Sequence, residues 1–212
     1  FNWADFNNEP INYWKDIAGT LLSIPMAHQL IGFYTVADKT DGVLKVMRSY
    51  QYFAVRAISD RVARIEWDGR DRLGGYIWHT TGSGKTMTSF KSAYLIATSK
   101  DADKVIFLMD RIELGTQSLE QYNNFADTDD FVQSTENTHA LISKLKSTNP
   151  NEVLIVSSIQ KMSNIKQEEG GLKAHDIEQM QKKRIVIIVD EAHRSTFGDM
   201  LITIKETFPQ AV

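Results

Sequence analysis

The chain has 212 residues, of which 42% are hydrophobic and 24% are charged, and its formal net charge is −3. This composition is typical of a soluble globular protein, with room for one large α/β domain or a domain with an extra lobe. No apolar run is long enough to cross a bilayer, the first residues lack a signal-peptide pattern, and the absence of Cys excludes disulfides and thiolate metal sites. A cysteine-free chain fits a reducing cytoplasm, and its small negative charge means that any contact with nucleic acid needs a local basic surface.

The first 45 residues are predicted to be mainly helical. Residues 1–9 are polar but carry aromatic side chains, which predicts an irregular segment that docks onto other elements. Apolar residues then recur at helical spacing between Pro10 and Leu22, and a second helix is indicated from about Ala27. Residues 33–37 fit either the end of that helix or a strand that runs into the turn at 38–42, and the pattern leaves both open.

An amphipathic helix is predicted from about Ser49 to Ile65, with Ser49 as its N-cap. A charged loop at residues 68–72 follows it. The next stretch is predicted as an apolar strand at 76–79, a glycine-rich turn, and a helix that starts at Lys85. Strand, turn and helix in this order are the layout of a phosphate-binding loop.

The chemistry of such a loop depends on particular residue types. Gly82 and Gly84 allow a tight turn that points consecutive N–H groups into one hollow, and the helix adds its positive N-terminal end. Lys85 can reach the β- and γ-phosphates of a nucleotide, and the Thr86 hydroxyl can take one site on Mg²⁺. The strict pattern has Gly where this chain has His79, so the loop is a variant; a chance turn before a helix is the alternative. The nucleotide-binding candidates are Thr81, Gly82, Ser83, Gly84, Lys85 and Thr86.

Three continuous apolar runs predict strands that are covered on both faces, because such runs are typical of parallel sheets. They are residues 105–109, 153–156 and 185–189. Helical patterns lie at about 114–125, 140–145 and 197–207, and the polar residues 166–183 are predicted as an insertion with a helix from Ala174. Strands that alternate with helices predict a parallel, doubly wound α/β sheet.

Two adjacent carboxylates, Asp190 and Glu191, follow the strand at 185–189. The carboxyl ends of parallel strands share one edge of a sheet, which is also where a phosphate loop lies. Asp190 can hold Mg²⁺, mainly through water, and Glu191 can orient and deprotonate an attacking water molecule. The alternative is that the pair caps the following helix. With Lys85, these carboxylates are the predicted catalytic residues.

These motifs together resemble a known family. The glycine-rich loop and Asp190–His193 resemble the first RecA-like motor domain of a superfamily 2 helicase or translocase. A longer set of segments resembles the R (motor) subunit of type I restriction enzymes, in which His at the position of His79 is usual. These segments are residues 1–5, 75–86, 110–111, 158–161, 190–195 and 197–198. The resemblance implies a three-layer P-loop fold with ATP and Mg²⁺ as cofactors, and a bacterial or archaeal cytoplasmic location.

The resemblance also implies roles for single residues. Gln51 would hydrogen-bond the adenine edge, since an amide offers one donor and one acceptor. His193 would couple the nucleotide state to DNA-gripping elements, and Arg111, Gln160 and Lys161 would contact phosphates of one DNA strand. Each residue also has a non-functional alternative. Gln51 could be a surface residue at a helix start, and His193 could serve only in packing or capping. The three DNA-contact candidates could be solvated polar residues at the starts of loops.

The resemblance further implies double-stranded DNA, a methyltransferase subunit and a specificity subunit as partners. It divides the chain into a helical extension (1–45), linked to a nuclease domain, and a motor domain (46–212). The chain has no Gln-x-x-Gly-Arg motif, and no acidic residue is followed two positions later by Lys, as a nuclease triplet requires. We therefore expect a fragment with negligible ATP turnover and no cleavage activity by itself. Another superfamily 2 motor, a P-loop kinase and a non-catalytic interaction module are the alternatives.

Overall fold

The computed structural model describes residues 2–69, 72–109, 112–128, 130–166, 174–192 and 197–212. The N-terminal part contains two short helices, α1 (Trp14–Gly19) and α2 (Ile24–Phe33), followed by an antiparallel hairpin of β1 (Thr35–Asp38) and β2 (Val43–Val46). The structure therefore decides the open choice at residues 33–37, because the helix ends at Phe33 and a strand starts at Thr35. No helix among the described residues is long and apolar enough to span a membrane.

A parallel sheet forms the centre of the rest of the chain. Its strands are β3 (Lys104–Met109), β4 (Val132–Ser134), β5 (Leu154–Ser158) and β6 (Ile185–Val189), and within the described residues they lie in the order β4-β5-β3-β6. Phe107 at the centre of β3 is paired with Val156 on one side and Ile188 on the other. The parallel sheet predicted from the three apolar runs is confirmed.

Helices cover both faces of this sheet. They are α3 (Ser49–Ala63), α4 (Lys85–Ser99), α5 (Ile112–Phe125), α6 (Thr138–Lys146), α7 (Ile159–Ser163), α8 (Ala174–Gln181) and α9 (Phe197–Thr207). Val105 and Phe107 of β3 belong to one buried cluster with α3 and α4, whereas Ile106 and Leu108 belong to a second cluster with α6, α7 and α9. Successive strand residues point to opposite faces, so this alternation produces the three layers of a doubly wound fold.

The N-terminal segment packs into the first of these clusters. Trp3, Leu30 and Val36 share it with Tyr52 of α3 and Phe90 of α4. Trp3 is 3% exposed, and its ring centroid lies 6.0 Å from that of Tyr52. Residues 2–45 are thus held to the sheet by a shared apolar core, while the domain boundary between residues 45 and 46 remains a prediction.

The strand predicted at residues 76–79 is wrong. Residues 72–80 carry no strand, and Tyr76 and Trp78 are each 88% exposed. The edge of β6 is engaged by another part of the chain, because Val212 donates to the carbonyl of Ile185 and accepts from the N–H of Ile187. The segment before the phosphate loop passes beside Val212 and does not enter the sheet in the described structure.

Candidate nucleotide-binding site

The glycine-rich loop adopts the conformation that its residue types predict. Gly82 and Gly84 have φ angles of 76° and 80°, in the left-handed region that side chains other than that of Gly rarely adopt. Gly84 is the N-cap of α4, so Lys85 and Thr86 open the helix, and the N–H groups of its first turn have no partner within the helix. Thr81, Gly82 and Gly84 are exposed, and Ser83, Lys85 and Thr86 are half-buried. The loop can therefore present N–H groups and a lysine to an anion.

The start of α3 holds this loop from behind. The Tyr50 hydroxyl donates to the carbonyl of Ser83 at 2.9 Å, and Gln51 Nε2 donates to the carbonyls of Ser83 and Gly84 at 3.3 and 3.4 Å. Gln51 Oε1 accepts from the N–H of Arg48 at 3.0 Å, so the N-cap of α3 is Arg48, and the cap predicted at Ser49 is wrong. Both ends of the buried Gln51 amide are thus bonded to backbone of the same chain, and its contact with adenine remains a prediction.

His79 has a structural role at the position where the strict motif has Gly. Its Nδ1 lies 2.9 Å from Ser83 Oγ, which donates to the carbonyl of Thr80 at 2.7 Å. Since that hydroxyl has one proton, His79 Nδ1–H is the donor in the first contact. The ring packs edge-on against Tyr50, with centroids 5.9 Å apart. Burial, with a smaller effect from the charge of Lys85, lowers the pKa of His79.

Lys85 forms an ion pair with Glu191, which joins the two motifs. Asp190 and Glu191 follow β6, where the N–H of Asp190 donates to the carbonyl of Leu108 at 3.0 Å. The carboxylate of Asp190 accepts from the N–H of Glu191 at 3.0 Å, and Glu191 has a left-handed φ of 53°. A residue of this type in that region is strained, and such strain is concentrated at functional sites. Lys85, Asp190 and Glu191, which are far apart in sequence, meet at one edge of the sheet.

The oxygen donors near the loop fit Mg²⁺, a hard cation that prefers hydroxyl, carboxylate and water ligands. Thr86 lies in the first turn of α4, and Asp190 at the end of β6. No group of three or more His, Cys, Asp and Glu residues in the described ranges can hold a metal by itself. A cation here would therefore take most of its ligands from phosphate oxygens and water, as is usual for Mg²⁺ bound with a nucleotide.

The structure describes two of the three predicted DNA-contacting residues. Gln160 and Lys161 open α7, directly after β5, at the same edge of the sheet as Asp190. Gln160 is exposed and donates to Asn164 Oδ1 at 2.9 Å, and the Lys161 ammonium donates to the carbonyl of Thr135. Arg111 and His193 lie outside the residues that the structure describes.

Tyr50 is the residue that the sequence interpretation missed. Its helical spacing places it with the apolar face of α3, and nothing in that spacing indicates a contact 33 residues away. The sequence feature that could have indicated this role is that Tyr50 directly precedes Gln51, a predicted nucleotide-binding residue.

Comparisons with known proteins show which family the chain resembles. Residues 50–212 match the family model of the SWI2/SNF2 ATPase. A type I restriction enzyme endonuclease subunit of Staphylococcus aureus is 39% identical over the whole chain, which spans 21% of that relative. A Mycoplasma pneumoniae protein, named as the C-terminal part of such a subunit, is 36% identical over 97% of this chain and 99% of its own length.

Among solved structures, a nuclease-deletion mutant of the Type ISP restriction-modification enzyme LlaGI, in complex with a DNA substrate mimic, is 23% identical to this chain. The TM-score is 0.49, and the alignment covers 73% of this chain and 16% of that one. The parallel sheet and the family model together confirm the expected RecA-like P-loop fold. The chain belongs to the SWI2/SNF2 ATPase family and to the endonuclease subunits of type I restriction enzymes.

Proposed function

We propose that this domain binds ATP with Mg²⁺ and hydrolyses it as part of a motor that translocates double-stranded DNA in a type I restriction enzyme. The observation that carries the proposal is the contact between Lys85 of the phosphate loop and Glu191 after β6, which are 106 residues apart. A basic phosphate ligand and a carboxylate at one sheet edge are two of the parts that phosphoryl transfer needs.

The residues divide the chemistry as follows. The N–H groups of the loop and the Lys85 ammonium neutralise the β- and γ-phosphates, with Thr86 and Asp190 as the residues that hold Mg²⁺. When bound, Mg²⁺ supplies further neutralisation of the charge that develops on the phosphate oxygens. Glu191 orients the attacking water and accepts its proton, in the step where the phosphates replace its carboxylate as the partner of Lys85.

The DNA part of the proposal rests on the family and on the sheet edge. The relatives are named as restriction endonuclease subunits. We place Gln160, Lys161 and Arg111 along one DNA strand, and His193 between them and the nucleotide. Methyltransferase and specificity subunits are the proposed partners of the whole protein in the cytoplasm. The chain spans about a fifth of the length of the staphylococcal relative, and its ATP turnover outside the full subunit is a separate quantity that an ATPase assay measures.

The test is an ATPase and translocation assay on the full subunit, assembled with its partner subunits and DNA. Lys85→Ala removes the phosphate ligand, and Lys182→Ala is the matched control because that lysine is exposed and pairs with Glu178 on α8. We expect Lys85→Ala to lose DNA-stimulated ATP hydrolysis and displacement of a DNA triplex, and the control to retain both. A Lys85→Ala enzyme that hydrolyses ATP and translocates normally would overturn the proposal.

A further inference from the structure

The side chain of Tyr122 in α5 is fully buried, and its hydroxyl reaches the beginning of α4, the helix that follows the phosphate loop. We propose that Tyr122 positions Thr86, one of the two residues that would hold Mg²⁺, by way of Ser89. This inference rests on the proposed function, because it names a residue that orders the metal site of the same reaction. Tyr122 lies outside every motif from which the site was predicted.

Two hydrogen bonds connect Tyr122 to Thr86. The Tyr122 hydroxyl donates to Ser89 Oγ at 2.9 Å, and Ser89 Oγ donates to the carbonyl of Thr86 at 3.0 Å. A serine hydroxyl has one proton, which is used in the second bond, so Tyr122 is the donor in the first. Both bonds point in the same direction, and aligned bonds in a low-dielectric interior strengthen one another. The chain of bonds ends on the residue whose hydroxyl would bind the metal.

Ring contacts fix the position of this hydroxyl. The Tyr122 ring is stacked on Phe107 of β3, with centroids 4.7 Å apart and planes 29° apart. It also packs edge-on against Phe90 of α4, with centroids 5.2 Å apart. In a close-packed interior, a ring held in this way offers its hydroxyl at one position. The first turns of α4 are thus bonded to a side chain that is fixed on the central part of the sheet.

Asp190, the other residue that would hold Mg²⁺, acts on Tyr122 through its charge. Burial raises the pKa of Tyr122 well above its ordinary value, the bond to Ser89 has a smaller opposite effect, and the charge of Asp190 raises the pKa further. The hydroxyl therefore keeps its proton and remains a donor. Tyr122 is thus bonded to the turn that carries Thr86 and lies within electrostatic reach of Asp190.

Packing alone does not require a hydroxyl at this position. Three phenylalanines, Phe90, Phe107 and Phe125, belong to the same buried cluster as Tyr122 and fill it without a polar side-chain atom. A buried hydroxyl costs free energy unless it is hydrogen-bonded, and the partner that it has here is the serine that bonds to Thr86. The polar atom that distinguishes Tyr122 from a phenylalanine is therefore the one directed at the proposed metal site.

The test measures metal binding apart from hydrolysis. Competition against a fluorescent ATP analogue on the full subunit gives the affinity for inorganic tripolyphosphate, once with Mg²⁺ and once with EDTA. Tyr122→Phe keeps the ring and removes the hydroxyl, and Ser89→Ala removes the middle of the chain of bonds. We expect each variant to reduce the gain in affinity from Mg²⁺ by about two- to tenfold, as for one lost hydrogen bond, and to change the affinity in EDTA less than about twofold. The double variant should lose no more than either single variant, because both residues act through the same bonds.

Ser92→Ala is the matched control, because Ser92 is a buried serine of α4 whose hydroxyl donates to the carbonyl of Thr88 at 2.8 Å. It should lower the free energy of unfolding without changing the gain from Mg²⁺, which is the result expected of a purely structural hydroxyl.

Three results would overturn the inference: an unchanged gain from Mg²⁺ in both single variants, equal losses with Mg²⁺ and with EDTA, or additive losses in the double variant. Ser89 is only half-buried, so Ser89→Ala gives an answer even where Tyr122→Phe does not fold. Lys85→Ala should weaken tripolyphosphate binding under both conditions. If it weakened neither, the phosphate site and the proposed function would be refuted, which is a distinct result.

Discussion

Lys85 and Glu191 are joined by an ion pair that closes the phosphate loop onto the end of β6. Both side chains are partly exposed, at 33% and 28%, so the pair lies at the mouth of the site and not in the core. The ammonium that would neutralise phosphate is thus held by the carboxylate that would deprotonate water. In the proposed reaction, the phosphates of the entering nucleotide replace Glu191 as the partner of Lys85. Nucleotide binding and the positioning of Glu191 for catalysis therefore both depend on the Lys85–Glu191 ion pair.

Glu191→Gln should separate binding from hydrolysis in the full subunit. The amide keeps the size of the side chain but cannot accept a proton at this step, so ATP hydrolysis should fall by about 10²–10⁴-fold. ATP affinity should be retained or increased, because the variant no longer holds a carboxylate beside the phosphates. Steady-state ATPase rates and nucleotide titrations measure the two effects. Glu178→Gln, at an exposed residue of α8, should leave both unchanged; hydrolysis at the normal rate by Glu191→Gln would contradict the assigned role.

Gly84→Ala should distort the phosphate loop. An added Cβ would lie 2.5 Å from Gln51 Nε2, and the φ of 80° is unfavourable for Ala. The left-handed conformation alone costs about 1–2 kcal/mol, so the free energy of unfolding and the affinity for tripolyphosphate should both decrease. Denaturant unfolding and titration measure these quantities. Gly32→Ala is the matched control, because it lies in α2 with no atom within 4 Å of the added Cβ, and it should not weaken binding.

Tyr50→Phe tests the contact that positions the loop. The change keeps the ring and removes only the hydroxyl that donates to Ser83. A hydrogen bond contributes about 0.5–1.5 kcal/mol, so affinity for tripolyphosphate should fall about two- to twelvefold. Tyr13→Phe removes a hydroxyl from a 52% exposed residue before α1 and should have no effect. Equal affinities in the two variants would show that the hydroxyl of Tyr50 does not position the loop.

His79 should make stability depend on pH. Burial and the charge of Lys85 lower its pKa in the folded state, so the unfolded chain binds the proton more readily. The contribution of His79 is therefore complete above the ordinary pKa of about 6.5 and is lost as pH falls through the lower folded value. His79→Asn keeps a donor for Ser83 but does not titrate, so it should reduce the loss of stability between pH 8 and 5.

Denaturant midpoints at the two pH values give the comparison for His79. His175→Asn changes an exposed residue of α8 and is the control, since it leaves the loop intact. If the stability of His79→Asn fell as much between pH 8 and 5 as that of the unmodified chain, protonation of His79 would not be the cause of the loss.

Strand β3 and residues 76–79 show which strands could be predicted from the sequence and which could not. The apolar run at 105–109 predicts a buried strand, and the structure places that strand inside the sheet with both faces covered. The run at 76–79 is also apolar, yet it lies outside the sheet, and it is Val212 that bonds to Ile185 and Ile187 at the edge of β6. Local pattern reports the propensity to form a strand, whereas a place in the sheet depends on which segments compete for its edges.

The sequence by itself determined the fold class, the phosphate loop and the carboxylate pair, because hydrophobic period, glycine positions and short motifs are local properties of the chain. Only the tertiary structure decided what holds these parts. Gln51 braces the loop backbone, Tyr50 bonds to Ser83, and Lys85 pairs with Glu191. Each of these contacts joins residues that are 32 to 106 positions apart. These residues come together because α3, α4 and β6 pack on a common core, and this packing is not evident from any local sequence pattern.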